Sequence, residues 1–65
     1  MLFGEYIRSK GFTAKRLAEE AGISVRTVEA YANGRRPVKK CSADLFLLIA
    51  KILDVDPYKL MEILD

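Results

Sequence analysis

Residues 13–37 read TAKRLAEEAGISVRTVEAYANGRRP, and this stretch decides the fold. Thr13 begins one helical pattern that ends at Gly22, and Ser24 begins a second pattern that ends at Asn33. Serine and threonine are favoured at helix N-caps, and glycine is favoured just past a helix C-terminus. So few residues join the two helices that they must cross steeply, which predicts a helix-turn-helix arrangement.

The same stretch supplies the side chains that a steep crossing needs. Ala18 is small enough for the two helices to approach closely, and Gly22 takes a positive φ without a Cβ penalty. The pattern places five hydrophobic side chains on the core side of the pair: Leu17, Ala21, Ile23, Val28 and Tyr31. We therefore expect the helix-turn-helix core to cover about residues 13–34.

Helical periodicity continues on both sides of this core, and no segment alternates with the period of a β-strand. A first helix shows one apolar face, made by Leu2, Phe3, Tyr6 and Ile7. Ser42 begins a fourth helix, and Asp56 caps a fifth with Pro57 at its first helical position, where the missing N–H costs nothing. The prediction is an all-α fold, a compact five-helix domain spanning residues 1–65.

Each of the last four predicted helices has a hydrophobic residue just before its cap and another at its fourth position. Such a pair packs together and sets the angle at which the chain approaches the helix. The pairs are Phe12 with Leu17, Ile23 with Val28, Cys41 with Phe46, and Val55 with Leu60. Their agreement with the four cap positions supports the predicted helix starts.

Size and composition favour one small folded domain. A chain of 65 residues buries only about 60% of the surface that it exposes when unfolded, so a partner chain would add stability. No secretory signal is apparent, because Phe3 is followed directly by Gly4 and Glu5. The longest apolar stretch, residues 45–50, is too short to cross a bilayer. We expect a cytoplasmic protein with no membrane partner.

The chain contains one cysteine, Cys41, and no histidine. A single cysteine excludes an internal disulfide and indicates a reducing compartment. Without histidine, His-based catalysis and His-ligated zinc are excluded. We expect no enzyme activity, no cofactor and no metal, and interpret Cys41 as a small half-buried hydrophobic residue.

The basic residues are concentrated in the middle of the chain. Residues 15–40 hold seven basic and three acidic residues, a net charge of +4, whereas the rest of the chain holds four basic and six acidic residues and carries −2. A basic middle on a neutral-to-acidic body predicts a surface that faces a polyanion.

The segment from Thr13 to Pro37 resembles the DNA-binding domain of the lambda-repressor/Cro-type (XRE) family of bacterial and phage regulators. Its most specific parts are LAEEAGIS and NGRRP, and SADLFLLIAKILDVDP matches the usual fourth helix and the approach to the fifth. The resemblance implies a cytoplasmic, bacterial or phage-encoded protein that binds double-stranded DNA. In that family the third helix lies in the major groove, and the loop after it follows the phosphates.

The residues of the third helix that point away from the core are candidates for reading bases. They are Val25, Arg26, Glu29 and Ala30. Arg26 has the side chain that binds guanine O6 and N7 in a bidentate manner, and small apolar side chains suit a thymine methyl. Two roles are open for Glu29. Its carboxylate accepts a hydrogen bond from the N4 amine of a cytosine, or it forms an ion pair with Arg26 on the same helix.

A second set of residues is predicted to contact the DNA backbone. Helix N-termini and their hydroxyl caps bind phosphate oxygens, and so do basic residues on a loop. The set is Thr13, Ser24, Asn33, Arg35, Arg36, Lys39 and Lys40. For Thr13 and Ser24, capping is the primary role and phosphate contact is an additional one.

The fourth helix carries more apolar surface than one core face requires. Phe46, Ala50 and Leu53 form the centre of the core face, with Ile49 and Leu47 at its edges. A second apolar stripe consists of Leu45, Leu48 and Ile52, so the apolar arc spans roughly 260° against the ~100° of a one-sided helix. Two explanations remain for this stripe. The C-terminal helix covers part of it, or Leu45, Leu48 and Ile52 form a homodimer interface through the fourth and C-terminal helices.

The predicted function is sequence-specific DNA binding by a transcriptional regulator, expected to be a repressor that binds a palindromic operator as a dimer. Cro-like repressors, restriction-modification controllers and antitoxins all fit this description. The alternative is a protein-interaction module, or an antitoxin-like protein that binds a partner, built on the same fold.

Overall fold

The computed structural model describes residues 1–64. Within them lie five α-helices and one 3₁₀ turn, and no strand. The elements are α1 (Phe3–Ser9), α2 (Ala14–Ala21), α3 (Val25–Ala32), the 3₁₀ turn (Val38–Lys40), α4 (Ala43–Ile52) and α5 (Pro57–Ile63). The predicted all-α fold is confirmed. None of these helices is long and apolar enough to cross a membrane.

Side chains cap the N-termini of the four helices for which the sequence predicts caps. The hydroxyls of Thr13, Ser24 and Ser42 accept from backbone N–H groups at distances of 3.1, 3.1 and 3.2 Å. The Asp56 carboxylate accepts from the N–H of Lys59 at 3.3 Å. These bonds satisfy N–H groups that have no partner inside the helix, which explains why the helices begin at these residues.

Three of the connections share one turn geometry. A residue one or two positions beyond the helix end has a positive φ, which is 82° at Gly11, 70° at Gly22 and 56° at Asp54. In each case the next N–H bonds to a carbonyl five residues earlier: Phe12 to Ile7 at 2.9 Å, Ile23 to Ala18 at 3.0 Å, and Val55 to Ala50 at 3.0 Å. This is the bonding of a Schellman motif. The hydrophobic residue predicted to precede each cap therefore also closes the preceding helix.

Helices α2 and α3 make the most extensive contact between any two helices within residues 1–64. Leu17, Ala18, Val28 and Tyr31 are buried where the helices cross. Ala21 and Ile23 are half-buried in the turn itself. The predicted packing of these two helices across a short turn is therefore present, with Ala18 among the buried residues.

Replacing Gly22 tests the conformation of this turn separately from its packing. A Cβ at Gly22 would meet no atom within 4 Å, so the left-handed backbone is the only penalty. We expect Gly22→Ala to lower the free energy of unfolding by about 1–2 kcal/mol. Gly22→Asn should cost less, because asparagine tolerates this conformation. Thermal unfolding followed by circular dichroism measures both, and equal losses for the two variants would contradict the explanation.

Helix α1 packs directly on the C-terminal end of α3. A Cβ built on Gly4 would lie 2.6 Å from the carbonyl oxygen of Ala32, closer than real side chains approach. Gly4 is itself buried. The absence of a side chain at this position therefore allows α1 to contact the backbone of α3.

The core is formed by residues from all five helices and from the 3₁₀ turn. Its buried members are Phe3, Tyr6, Ile7, Leu17, Ala18, Val28, Tyr31, Val38, Phe46, Ile49, Ala50, Leu53, Leu60 and Leu64. Val38 is a member that the sequence pattern did not reveal, because it follows a run of exposed residues. Its burial holds the loop after α3 against the core.

The structure changes the interpretation of α4. Leu45 and Ile52 are half-buried and pack against the core, so most of the predicted second stripe is covered within the monomer. Leu48 is 38% exposed. The prediction that Leu47 lies at the edge of the core face is wrong, because 54% of its surface is exposed. It lines a groove of about 330 Å³ that α4 and α5 form together.

Candidate nucleic-acid interface

The outward face of α3 presents one basic and one acidic side chain to solvent. Arg26 and Glu29 are both exposed, and within residues 1–64 no ion pair joins them. Val25 and Ala30 are half-buried beside them, and Val25 also packs against the core. The alternative in which Glu29 pairs with Arg26 is therefore not adopted, and both charged groups are available to a ligand.

The caps of α2 and α3 lie at exposed helix N-termini. The Thr13 and Ser24 hydroxyl oxygens accept from the N–H groups of Arg16 and Arg26. Because a hydroxyl both accepts and donates, each proton stays available for a phosphate oxygen. The capping roles are confirmed, and they are chemically compatible with the predicted phosphate contacts.

The loop after α3 is ordered by its own hydrogen bonds. The Asn33 side chain accepts from the N–H of Arg35 at 3.0 Å, and the N–H of Arg36 bonds to the carbonyl of Ala30 at 3.1 Å. The Arg36 guanidinium lies over the Tyr31 ring, 5.2 Å from its centroid, a cation–π arrangement. Since Tyr31 is a buried residue of α3, it gives Arg36 a rigid support at the end of this helix.

Lys39 and Lys40 differ in what they contact. The Lys39 ammonium donates to the carbonyl of Leu64 at 3.0 Å and is half-buried, whereas Lys40 is exposed. The structure thus gives Lys39 a partner at the other end of the chain, which the sequence did not predict. Lys40 remains free to approach an external anion.

Replacing each lysine by methionine separates these two roles, since methionine keeps the aliphatic stem. We expect Lys39→Met to lower the free energy of unfolding by about 1 kcal/mol through the lost hydrogen bond, without changing the salt dependence of DNA binding. Lys40→Met should alter stability by less than about 0.5 kcal/mol and reduce the salt slope by about one. Denaturant unfolding and binding titrations at several salt concentrations test both. A reduced slope with unchanged stability for Lys39→Met would contradict the assignment.

An open cleft of about 670 Å³ runs between α1, the start of α2 and the end of α3. Its lining residues are Leu2, Arg8, Ala14, Glu29, Ala32, Asn33 and Arg35. Three of them, Glu29, Asn33 and Arg35, belong to the predicted interface. The sequence did not predict that Arg8 lies beside these residues, because its own helix shows no DNA-binding pattern.

Two further observations concern the thiol and the acidic side chains. Burial raises the pKa of the Cys41 thiol, so this group stays protonated near neutral pH and is a poor nucleophile. Within residues 1–64 no three cysteine, aspartate or glutamate side chains are grouped so that they could hold a metal ion.

The crossing of α2 and α3, with an exposed arginine on α3 and an ordered basic loop behind it, defines a helix-turn-helix protein of the DNA-binding class. A family model described as helix-turn-helix matches residues 4–60. The chain therefore belongs to the XRE, or lambda-repressor-type, helix-turn-helix family of DNA-binding regulators, as its resemblance implied. This family is not typically enzymatic. No curated protein and no solved structure shows a significant match to the chain.

Proposed function

We propose that this protein is a sequence-specific repressor that binds a palindromic operator as a dimer, with α3 in the major groove. The observation that carries the proposal is the outward face of α3. It exposes Arg26 and Glu29 without pairing them, next to a basic loop held by hydrogen bonds. Besides this face and a dimer interface, the proposed repressor needs no further surface, because occupying a site that overlaps a promoter is enough to block transcription.

The side chains on the outward face of α3 have distinct chemical preferences. The Arg26 guanidinium matches guanine O6 and N7, and the Glu29 carboxylate accepts from the cytosine N4 amine. Val25 and Ala30 offer apolar surface to a thymine methyl. These four residues are the proposed source of sequence preference.

Backbone contacts hold the recognition helix in register. Hydroxyls, amides and basic side chains are the groups that contact phosphates in protein–DNA complexes. The proposed contacts are Thr13, Ser24, Asn33, Arg35, Arg36 and Lys40. Lys39 is left out because its ammonium already bonds to Leu64.

The proposed dimer forms through α4 and α5. Three large hydrophobic side chains are exposed beside the groove between these helices: Leu47, Tyr58 and Met61, with exposed fractions of 54%, 81% and 40%. Exposed apolar groups that cluster in this way favour a protein interface. The domain has Cα extents of 24 × 23 × 21 Å, which are smaller than the roughly 34 Å, one turn of DNA, that separates the half-sites bound by such dimers.

Selection from a randomised duplex pool tests the function directly. The bound fraction is sequenced, and its affinity is measured by fluorescence anisotropy at several salt concentrations. We expect tight binding that falls steeply with salt and enrichment of a palindrome whose half-sites lie about 10 base pairs apart. Enrichment of a single half-site would exclude the dimer, and weak binding that does not depend on salt would exclude the DNA function.

A protein-interaction module or antitoxin-like protein is the second candidate, and the apolar groove between α4 and α5 favours it. In this case Tyr58 and Met61 contact a different protein and not a second copy. Sedimentation of the free chain at high micromolar concentration distinguishes the two. A monomer at that concentration, together with weak DNA binding, would support the interaction module.

A further inference from the structure

The cleft beside α3 contains a basic residue that no DNA-binding motif of the sequence includes. Arg8 belongs to α1 and is exposed, and within residues 1–64 its side chain makes no hydrogen bond or ion pair. A guanidinium has five N–H donors and remains charged at all accessible pH values. An unpaired guanidinium at the rim of a cleft is therefore able to bind an anion.

The position of Arg8 follows from the packing of α1 on α3. Gly4 lies directly against the backbone of Ala32, and residues four apart share one face of a helix. Arg8 is thus on the face of α1 that runs beside α3. It lines the cleft together with Glu29 and Arg35.

Two guanidinium groups and one carboxylate are the charged groups that line this cleft, so its net charge is positive. An α-helix with its side chains is about 10–12 Å wide, and the major groove of B-DNA is about 12 Å wide. A helix in the groove therefore fills it, and a group beside the flank of that helix meets the phosphates at the groove wall.

We propose that Arg8 is a further DNA-binding residue, whose guanidinium binds a backbone phosphate on the α1 side of the recognition helix. This proposal rests on the function proposed above. It extends the phosphate-binding surface from the loop after α3, through Arg35, across the cleft to α1. The contact supplies affinity and fixes the register of α3, and it reads no base.

The test compares Arg8→Gln with Lys10→Gln on the selected operator and on random DNA. Both variants remove one positive charge from the same segment, and Lys10 does not line the cleft. One lost phosphate contact lowers the salt slope by about 0.9, which corresponds to roughly 8-fold weaker binding at 0.1 M salt. We expect this loss for Arg8→Gln on both DNAs, and a change smaller than about 2-fold for Lys10→Gln.

Two further variants exclude a purely structural role for Arg8. Arg8→Lys keeps the charge and should keep the wild-type salt slope, whereas Arg8→Ala repeats the charge removal and should reproduce the loss. Melting temperatures of all variants establish that they are folded. A loss for Arg8→Lys as large as that for Arg8→Gln would overturn the phosphate contact.

A double-mutant cycle with Glu29→Gln asks whether Arg8 acts on DNA or on Glu29. Additive losses for Arg8→Gln and Glu29→Gln support a direct phosphate contact. Disappearance of the Arg8→Gln loss in the Glu29→Gln background would overturn it, because Arg8 would then serve only to neutralise Glu29. If wild-type affinity for DNA falls steeply with salt and Arg8→Gln binds as the wild type does, only the phosphate contact of Arg8 is overturned. If wild-type affinity for DNA is weak and does not depend on salt, the proposed function is overturned as well.

Discussion

Gly4→Ala is expected to lower the free energy of unfolding by about 1–2 kcal/mol, although alanine favours helices more than glycine does. The gain in helix propensity is about 0.5–1 kcal/mol, and overpacking a tight contact costs about 1–3 kcal/mol. The steric cost exceeds the gain in helix propensity because the added Cβ would lie 2.6 Å from the carbonyl oxygen of Ala32. A backbone atom cannot rotate away as a side chain does, so α1 must move off α3.

This loss is large for a domain whose total stability is roughly 3–10 kcal/mol by its length. Thermal unfolding should show a melting temperature lower by roughly 5–15 °C. The control is Arg8→Ala on the same helix, where an exposed side chain is shortened and stability should change by less than about 0.5 kcal/mol. An unchanged or raised melting temperature for Gly4→Ala would show that α1 does not contact α3 as described.

Arg26→Ala is expected to weaken binding to the preferred operator by about 1–3 kcal/mol and to relax preference at one base pair. The reason is that Arg26 is exposed on α3 and unpaired with Glu29. Removing the side chain would take away the proposed bidentate contact with a base and should leave the fold intact, since the Ser24 cap bonds to the backbone N–H of residue 26. Competition titrations with operator variants measure the change in preference.

Arg36→Ala provides the contrast, because Arg36 lies in the loop after α3, where its guanidinium stacks on the buried Tyr31 ring, and does not belong to the outward face of α3. It should weaken binding to all sequences alike and reduce the salt slope by about one. If Arg26→Ala also lost equal affinity for operator and random DNA, its assignment to base reading would be refuted.

The helix starts and the central turn were predictable because the interactions that set them are local. Each cap bonds to an N–H two or three residues ahead, as Ser24 and Asp56 do. The turn at Gly22 is closed by a bond between residues five apart. The residues that take part in such interactions lie within one short window of sequence, so their identities are sufficient to place them.

The environment of α4 was not predictable to the same degree. Leu45, Leu47 and Leu48 are apolar, and the helical period places them on different sides of the helix. It does not show which of these sides a neighbouring helix covers. In the structure, Leu45 packs against the core and Leu47 is exposed in the groove beside α5, because α5 leaves that side only partly covered.

By itself, the sequence determined five helices, their caps, the helix-turn-helix pair of α2 and α3 and membership of a DNA-binding family, since each depends mainly on residues close together in the chain. Only the tertiary structure decided that Lys39 bonds to Leu64, 25 residues away, and that Arg8 shares a cleft with Glu29 and Arg35. These contacts join segments far apart in sequence. Whether a charged group is free for DNA therefore depends on how the helices pack as well as on the residues present.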